Sequence, residues 1–229
     1  MEVTVITPTY NRRRFIPTLI KIYEQQTYSK DKMEWIILDD GRDKVEDLFQ
    51  EAAKRIPNIR YIYSEDKLRI GAKRNLLNKE ARGQIIIAMD DDDYYPPTKV
   101  EEVIRVFKKN PKIMLAGSSE MYLFYTTTQK IYSIGPYHAR HATNGTMSYR
   151  KEYSTTHSYD EYVTKAEEMS FLENYKNQMI QIDPKHAILV ICHSDNTVDK
   201  SALKVKETQL TLDTIVTDIN IREFYTVIT

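Results

Sequence analysis

The run Ile85-Ile86-Ile87-Ala88-Met89 is short, β-branched and free of polar residues, so it fits a buried strand better than a helix. Four aspartates, Asp90 to Asp93, follow it directly. A buried strand cannot carry them inside, so they mark its carboxyl end at the edge of a sheet, where they meet solvent or ligand. Adjacent carboxylates repel one another unless a cation lies among them. Their hard oxygens suit Mg²⁺ or Mn²⁺, and Mg²⁺ shares its shell between a few carboxylates and substrate phosphates. The cluster also reads as a solvated acidic turn ahead of the helix that Pro96 and Pro97 open.

Strand and helix patterns alternate around this point. Val3 to Thr7 reads as a strand, and Arg14 to Gln25 as a helix with Phe15, Leu19 and Ile22 on one face. Met33 to Leu38 is a second strand ending at Asp39-Asp40-Gly41, and Asp43 is the expected N-cap of a helix over Val45 to Arg55. Ile59 to Tyr63 is a strand, Gly71 to Arg82 a helix that Gly83 breaks, Pro96 to Lys108 a helix, and Ile113 to Gly117 a strand. The expected fold class is α/β, a Rossmann-like, mostly parallel sheet with helices on both faces. Ligands in such sheets bind beyond the strands' carboxyl ends, so Thr7-Pro8-Thr9, Asp39-Asp40 and the aspartate tetrad should line one crevice.

Beyond Gly117 the pattern changes. Met121 to Tyr125 and Lys130 to Ser133 suggest a hairpin, Ala166 to Tyr175 a helix, and Met179 to Ile182 and Ile188 to Cys192 strands. We therefore expect a first half over 1–117, a second half over 118–200 that covers the crevice and holds a second substrate, and an extension over 201–229. That extension reads as a packed helix, an oligomer contact or a linker to further domains.

With 33 basic and 33 acidic residues the net charge is zero, which argues against a nucleic-acid or acidic-membrane partner. Cys192 is the only cysteine and lies in an apolar run, which suits a core residue in a reducing, cytoplasmic setting. Apolar runs stop at about six residues, far short of the ~18 a membrane span needs. Tyrosine is abundant, 17 against 6 Phe and 1 Trp, and rings that also hydrogen-bond suit a sugar-contacting cleft.

Five segments, Thr7-Pro8-Thr9-Tyr10-Asn11-Arg12, Leu38-Asp39-Asp40-Gly41, Gly71-Ala72-Lys73-Arg74-Asn75, Met89-Asp90-Asp91-Asp92-Asp93 and Glu167-Glu168, resemble in order and spacing the motifs of family 2 glycosyltransferases. The resemblance implies the GT-A fold and an inverting, metal-dependent transfer of a sugar from a nucleotide diphosphate sugar to an acceptor hydroxyl, for instance on a glycan. Carried onto this chain, it puts Thr7, Pro8, Thr9 and Tyr10 beside the base. Asp39 and Asp40 join them, with Asp40 accepting from an N–H edge such as that of uracil, so a UDP-sugar is favoured. Arg74, with Lys73, approaches the phosphates; Asp92 is the primary Mn²⁺ or Mg²⁺ ligand, Asp90 meets ribose or metal, and Asp91 is counted with the nucleotide-sugar-binding residues, although alternation along an extended strand end points it to the side opposite Asp90 and Asp92. Glu168, or else its neighbour Glu167, is the base. The Asn144 segment shapes the cleft floor, and His193 is a further metal-ligand candidate, as some GT-A enzymes recruit a histidine there. His138 and His141 flank Arg140 near acceptor or phosphate. A sugar nucleotidyltransferase would carry a Gly-rich loop after the first strand, which Thr7-Pro8-Thr9-Tyr10 lacks; a non-catalytic nucleotide-sugar or glycan-binding module would bind donor without turning it over.

Overall fold

The computed structural model describes residues 1–163, 166–196, 200, 203 and 206–228. Its first half runs β1 (Val3–Thr9), α1 (Ile16–Glu24), β2 (Met33–Asp39), α2 (Glu46–Ala53), β3 (Ile59–Tyr63), α3 (Ile70–Glu80), β4 (Ile85–Ala88), α4 (Lys99–Lys109) and β5 (Leu115–Gly117). The second runs β6 (Met121–Tyr125), β7 (Lys130–Ile134), β8 (Ser148–Arg150), α5 (Lys151–Thr156), α6 (Glu168–Phe171), β9 (Met179–Gln181), α7 (Pro184–Ala187), β10 (Leu189–Cys192), β11 (Lys206–Glu207), α8 (Leu212–Ile215) and α9 (Ile219–Val227).

Among the described residues these strands form a seven-stranded sheet ordered β3-β2-β1-β4-β8-β5-β9 and a four-stranded sheet ordered β10-β6-β7-β11. β3, β2, β1 and β4 are parallel, and β8 runs antiparallel between β4 and β5. The apolar strands divide their residues between two cores by the period of two. Val3, Val5, Trp35, Ile37, Ile85 and Ile87 pack on one face, and Ile6, Ile36, Leu38, Ile86 and Ala88 on the other. Trp35 anchors the first core, stacked on Tyr23 at 4.3 Å and meeting Phe49 edge-on at 5.2 Å. α4 buries Val100, Val103, Ile104 and Phe107, the face its spacing predicts.

The strand order reverses between β1 and β4, which makes their carboxyl ends a switch point, the place where sheets of this kind hold their ligands. β1 pairs with β4 only as far as Ile6 opposite Ala88 and continues to Thr9 beside β2 alone. Pro8, which has no N–H to give, occupies a position where β4 no longer pairs.

Several local expectations are corrected. β4 ends at Ala88, and Asp91 to Asp93 follow in bends instead of extending the strand. Alternation along an extended chain therefore does not set where the aspartates point. Asp43 does not cap α2; the Val45 N–H that opens that helix donates to Asp39. The helix expected over Ala166 to Tyr175 is only Glu168–Phe171, because Ala166, Glu173, Asn174 and Tyr175 all have positive φ, between 48° and 61°. For L-residues that region costs ~1 kcal/mol or more each. The chain from residue 206 is packed: Asp218 caps α9 and accepts from Lys21 of α1 and from Gln25, the C-cap of α1, and Phe224 meets Phe15 edge-on at 5.7 Å. Among the described residues no helix is long and apolar enough to cross a membrane.

Candidate active site

The crevice beyond β1 and β4 collects most of the residues singled out above. Asp90 lies on one side, where Arg74 Nη2 is 3.1 Å from its Oδ1. The same guanidinium donates through Nε to Glu167 Oε1 at 3.0 Å, and Glu167 also accepts from Asn144 Nδ2 at 2.8 Å. Tyr159 in turn donates to Asn144 Oδ1 at 2.8 Å. Burial disfavours the Arg74 charge, but Asp90 and Glu167 outweigh that and push its pKa up. Arg74 thus fastens the tetrad to the acidic pair at the start of α6, where Glu167 is the N-cap. It reaches them because Gly71 lets α3 pass close to the 160 loop: a β-carbon there would lie 2.2 Å from the Asp160 carbonyl.

Glu168 differs from its neighbour. It is half-buried, takes a backbone bond from its own N–H, and accepts no side-chain hydrogen bond among the described residues. Burial raises its pKa, and Glu167 and Asp90 add to that against its own N–H and Arg74. A half-buried carboxylate with spare acceptor capacity and an elevated pKa is equipped to take a proton.

The other three aspartates face a cationic group of their own. Arg12 reaches Asp91, Asp92 and Asp195 at 3.9, 3.7 and 3.9 Å, and its guanidinium lies 5.5 Å from the Phe15 ring. His193 Nε2 is 3.2 Å from Asp92 Oδ2, while its ring packs on Phe15 at 4.8 Å and is fully covered. Asn196 Nδ2 also lies 3.0 Å from that nitrogen, so His193 would have to exchange these contacts to bind an ion. Burial raises the pKa of Asp92, but the bond from His193 and the charges of Lys200 and Arg12 bring it below the usual range. Asp91 is held well above that range by burial and by Asp92, and Asp93 is pushed up to about 7, chiefly by burial. Asp93 accepts from Ile191 N–H at 2.8 Å, which ties the tetrad to β10. Lys99, fully buried against the carbonyls of Gly145 and Ala187, has its pKa pulled down to about 7 by burial against the pull of Asp90 and Asp93. Among the described residues no group of three or more His, Cys, Asp or Glu side chains converges as a metal cage.

The nucleotide side departs from expectation in detail. Thr7 is fully buried, donating to Met89 carbonyl at 2.8 Å and accepting from Trp35 Nε1 at 2.9 Å, so its hydroxyl braces the crevice from beneath. Asp39 is fully buried as well, with its oxygens taken by Gly41 N–H, Val45 N–H and the Tyr61 hydroxyl. Both side chains are spent on the scaffold in place of the ligand contacts expected of them. Asp40 accepts from Leu68 N–H at 2.7 Å and pairs with Lys73, which also donates to the Thr9 carbonyl. A base approaching Asp40 would have to compete with that lysine. Pro8 and Thr9 border the crevice through the end of β1, and the Thr9 hydroxyl faces Asp91. Tyr10 is half-exposed, with Lys67 Nζ 4.1 Å and Lys73 Nζ 5.6 Å from its ring centre. His138 and His141 pack with Tyr175 near α6, and Arg140 donates to the Lys176 carbonyl. The site residues that sequence reasoning missed are Arg12, Lys99, Tyr159 and Lys200; Arg12 lay inside a recognised motif, but nothing local assigned it three acidic partners.

Comparison with known proteins agrees with this architecture. A Haemophilus influenzae protein described as an uncharacterized glycosyltransferase is 32% identical over 111 residues, 48% of this chain and 36% of that protein. The Staphylococcus aureus poly(ribitol-phosphate) beta-N-acetylglucosaminyltransferase TarS is 28% identical over 96 residues, 41% of this chain and 17% of the relative. The chain thus spans about a third or less of the length of these curated relatives. The crystal structure of TarS 1-349 in complex with UDP-GlcNAc superposes with a TM-score of 0.66 at 17% identity, covering 86% of this chain and 60% of that one. The mannosyltransferase PcManGT from Pyrobaculum calidifontis, in complex with GDP-Man and Mn²⁺, gives 0.68 at 14% identity over 85% of this chain and 58% of that one. At such identities these structures speak for the α/β fold. The family model for Glycosyl transferase family 2 matches residues 4–164, well over half of the sequence, and the chain therefore belongs to that family of sugar-transferring enzymes.

Proposed function

We propose that this chain transfers a sugar from a nucleotide diphosphate sugar, with a UDP-sugar favoured, to an acceptor hydroxyl with inversion at the anomeric carbon. The observation that carries the reading is the Arg74 bridge, which holds Asp90 at the switch-point crevice and Glu167, next to the unpaired Glu168, in one frame. In the reaction Glu168 takes the acceptor hydroxyl proton as that oxygen bonds to the anomeric carbon. The bond from that carbon to the diphosphate breaks, and its electron pair leaves with the nucleoside diphosphate. A single displacement of this kind inverts the centre.

Arg74 Nη1 is buried with no hydrogen-bond partner among the described residues, which suits a diphosphate oxygen. Tyr10 offers a ring to the base. The carboxylates of Asp90 and Asp92 are hard donors of the kind Mg²⁺ or Mn²⁺ takes, and with His193 they would hold an ion only after His193 and Arg12 gave up their present contacts with Asp92. When bound, such an ion would offset the charge that builds on the departing diphosphate. The halves 1–117 and 118–200 then divide the work into donor binding and acceptor binding with the base.

The test is a panel of UDP- and GDP-sugars with Mn²⁺ or Mg²⁺, scored by thermal stabilisation and by release of free sugar, with the anomer of the transfer product read by NMR. Donor consumption that stops with excess chelator and yields an inverted product is expected. Stabilisation without turnover would leave a binding module, and a retained anomer would overturn the single displacement.

A further inference from the structure

Lys99, the first residue of α4, is only 1% exposed, and among the described residues it forms no salt bridge. Burying a lysine head away from a paired carboxylate is costly whether it keeps or sheds its proton, and a methionine of the same length would fill the space without that cost. The head is nevertheless fully engaged. It donates to the carbonyls of Gly145 at 2.9 Å and Ala187 at 3.1 Å, and Nζ lies 4.6 Å from the centre of the Tyr95 ring. Ammonium and neutral amine alike carry enough N–H groups for two carbonyls, so this hold does not depend on the charge.

Two of these partners lead directly to the site. The Tyr95 hydroxyl accepts the Asp90 N–H at 2.7 Å. Gly145 belongs to the buried turn Asn144–Thr146, and among the described residues nothing but Lys99 donates to its carbonyl. That turn runs against the tetrad: a β-carbon on Gly145 would come 2.8 Å from Ile188 Cδ1 and 3.4 Å from both Asp90 Oδ2 and the Tyr95 hydroxyl. The residue before it, Asn144, is the one whose side chain donates to Glu167 at 2.8 Å.

Two routes thus join Asp90 to Glu167. One is the Arg74 guanidinium, which bonds both. The other runs from the Asp90 N–H through Tyr95 and Lys99 to the Asn144–Gly145 turn, and from there to Glu167. Arg74 is itself a ligand of the diphosphate in the reading above, so its bonds to the two acids are open to change when donor arrives. Lys99 is covered and meets neither substrate.

We propose that Lys99 is a positioning residue of the transfer: by holding the Gly145 carbonyl it fixes the Asn144–Gly145 turn, and with it the placement of Glu167 and Glu168 relative to Asp90. The inference rests on the transferase reading above.

The test compares the whole wild-type chain with Lys99→Met, which keeps the length and removes the donors, and with Lys99→Gln, which keeps an NH₂ group. Crystal structures report the turn, and in Lys99→Met the Asn144 to Glu167 contact should open beyond hydrogen-bonding range. Hydrolysis of UDP-N-acetylglucosamine, UDP-glucose and GDP-mannose is followed with Mn²⁺, on whichever of them wild type consumes. Lys99→Met should lower kcat about 10- to 100-fold, as a shift of about an ångström in the catalytic frame does, with KM and the stabilisation by nucleotide unchanged. Lys99→Gln should recover part of that loss. The losses of Lys99→Met and Asn144→Ala should not add, since both act through one contact. An unmoved turn, a wild-type kcat, additive losses, or a KM that rises as kcat falls would each overturn the role. If Lys99→Met does not fold, the same structure and cycle are measured on Lys99→Gln, where an unmoved turn or additive losses overturn it equally. A wild-type chain that consumes none of these donors is a separate result: it fails the transferase reading, while the crystal structures still decide whether Lys99 holds the turn.

Discussion

Arg74 contacts Asp90 and Glu167 through different nitrogens, so a change at either acid reaches the other through one planar group. This separates the two neighbours on α6. Glu168→Gln keeps size and hydrogen bonding but cannot accept a proton, and should lower the chemical step by roughly 10² to 10⁴ with donor affinity intact. Glu167→Gln weakens a buried ion pair instead, and should cost about 1–3 kcal/mol in a urea titration alongside a smaller kinetic loss. A Glu167→Gln variant that is fully stable and fully inactive would reverse the assignment. Because a base must be ionised, the rate should fall on acidification at a pH above the ordinary glutamate range, the direction in which burial moves Glu168. That limb should vanish from the residual activity of Glu168→Gln. Arg12 makes a further residue-level case: it holds the ground beside Asp91 and Asp92 that a divalent ion would share. Arg12→Ala should tighten Mn²⁺ binding about tenfold in an electron paramagnetic resonance titration, because it removes a positive charge that now lies 3.7 Å from the Asp92 carboxylate. Weaker binding would show that Arg12 orders the aspartates more than it competes for them.

At the level of elements, what could be read from the chain was what is encoded locally. β4 with its tetrad was legible because an apolar run and a charge run adjoin in sequence, and α4 because its spacing repeats the turn of a helix. β8 was not, because three residues carry no pattern and are made a strand by β4 and β5 on either side. The stretch from 166 to 175 was misread because left-handed residues leave the apolar periodicity of a helix undisturbed. The resemblance singles out Asp40 as the acceptor from the base and sets Asp39 beside it on the ligand side; only the fold decides that Asp39 faces Val45 and Tyr61. Asp39→Ala should accordingly unfold the turn between β2 and α2, costing about 2–4 kcal/mol, as a multiply bonded buried carboxylate would. A urea midpoint equal to wild type would return Asp39 to the ligand side.

For the whole molecule, Asp218 links the last helix to the first. Burial alone would raise its pKa, but bonds from Lys21, Ile221 N–H and Gln25 depress it well below the usual range. A depressed carboxylate contributes stability that is present above the unfolded pKa of about 3.9 and lost as pH falls through the folded one. The melting temperature should therefore drop less steeply between about pH 5 and 2, the upper part of that window, in Asp218→Asn than in wild type; parallel curves would refute the link. The helix held this way sets Phe224 against Phe15, and Phe15 is the surface on which both His193 and Arg12 rest. A nascent chain emerges from the ribosome amino end first. Once residue 200 has been released the chain has every strand of the larger sheet, while the ring that backs Phe15 is still in the tunnel. Ribosome-bound intermediates of that length should resist protease yet fail to retain nucleotide, so birth of the fold and birth of the catalyst become separate events in time.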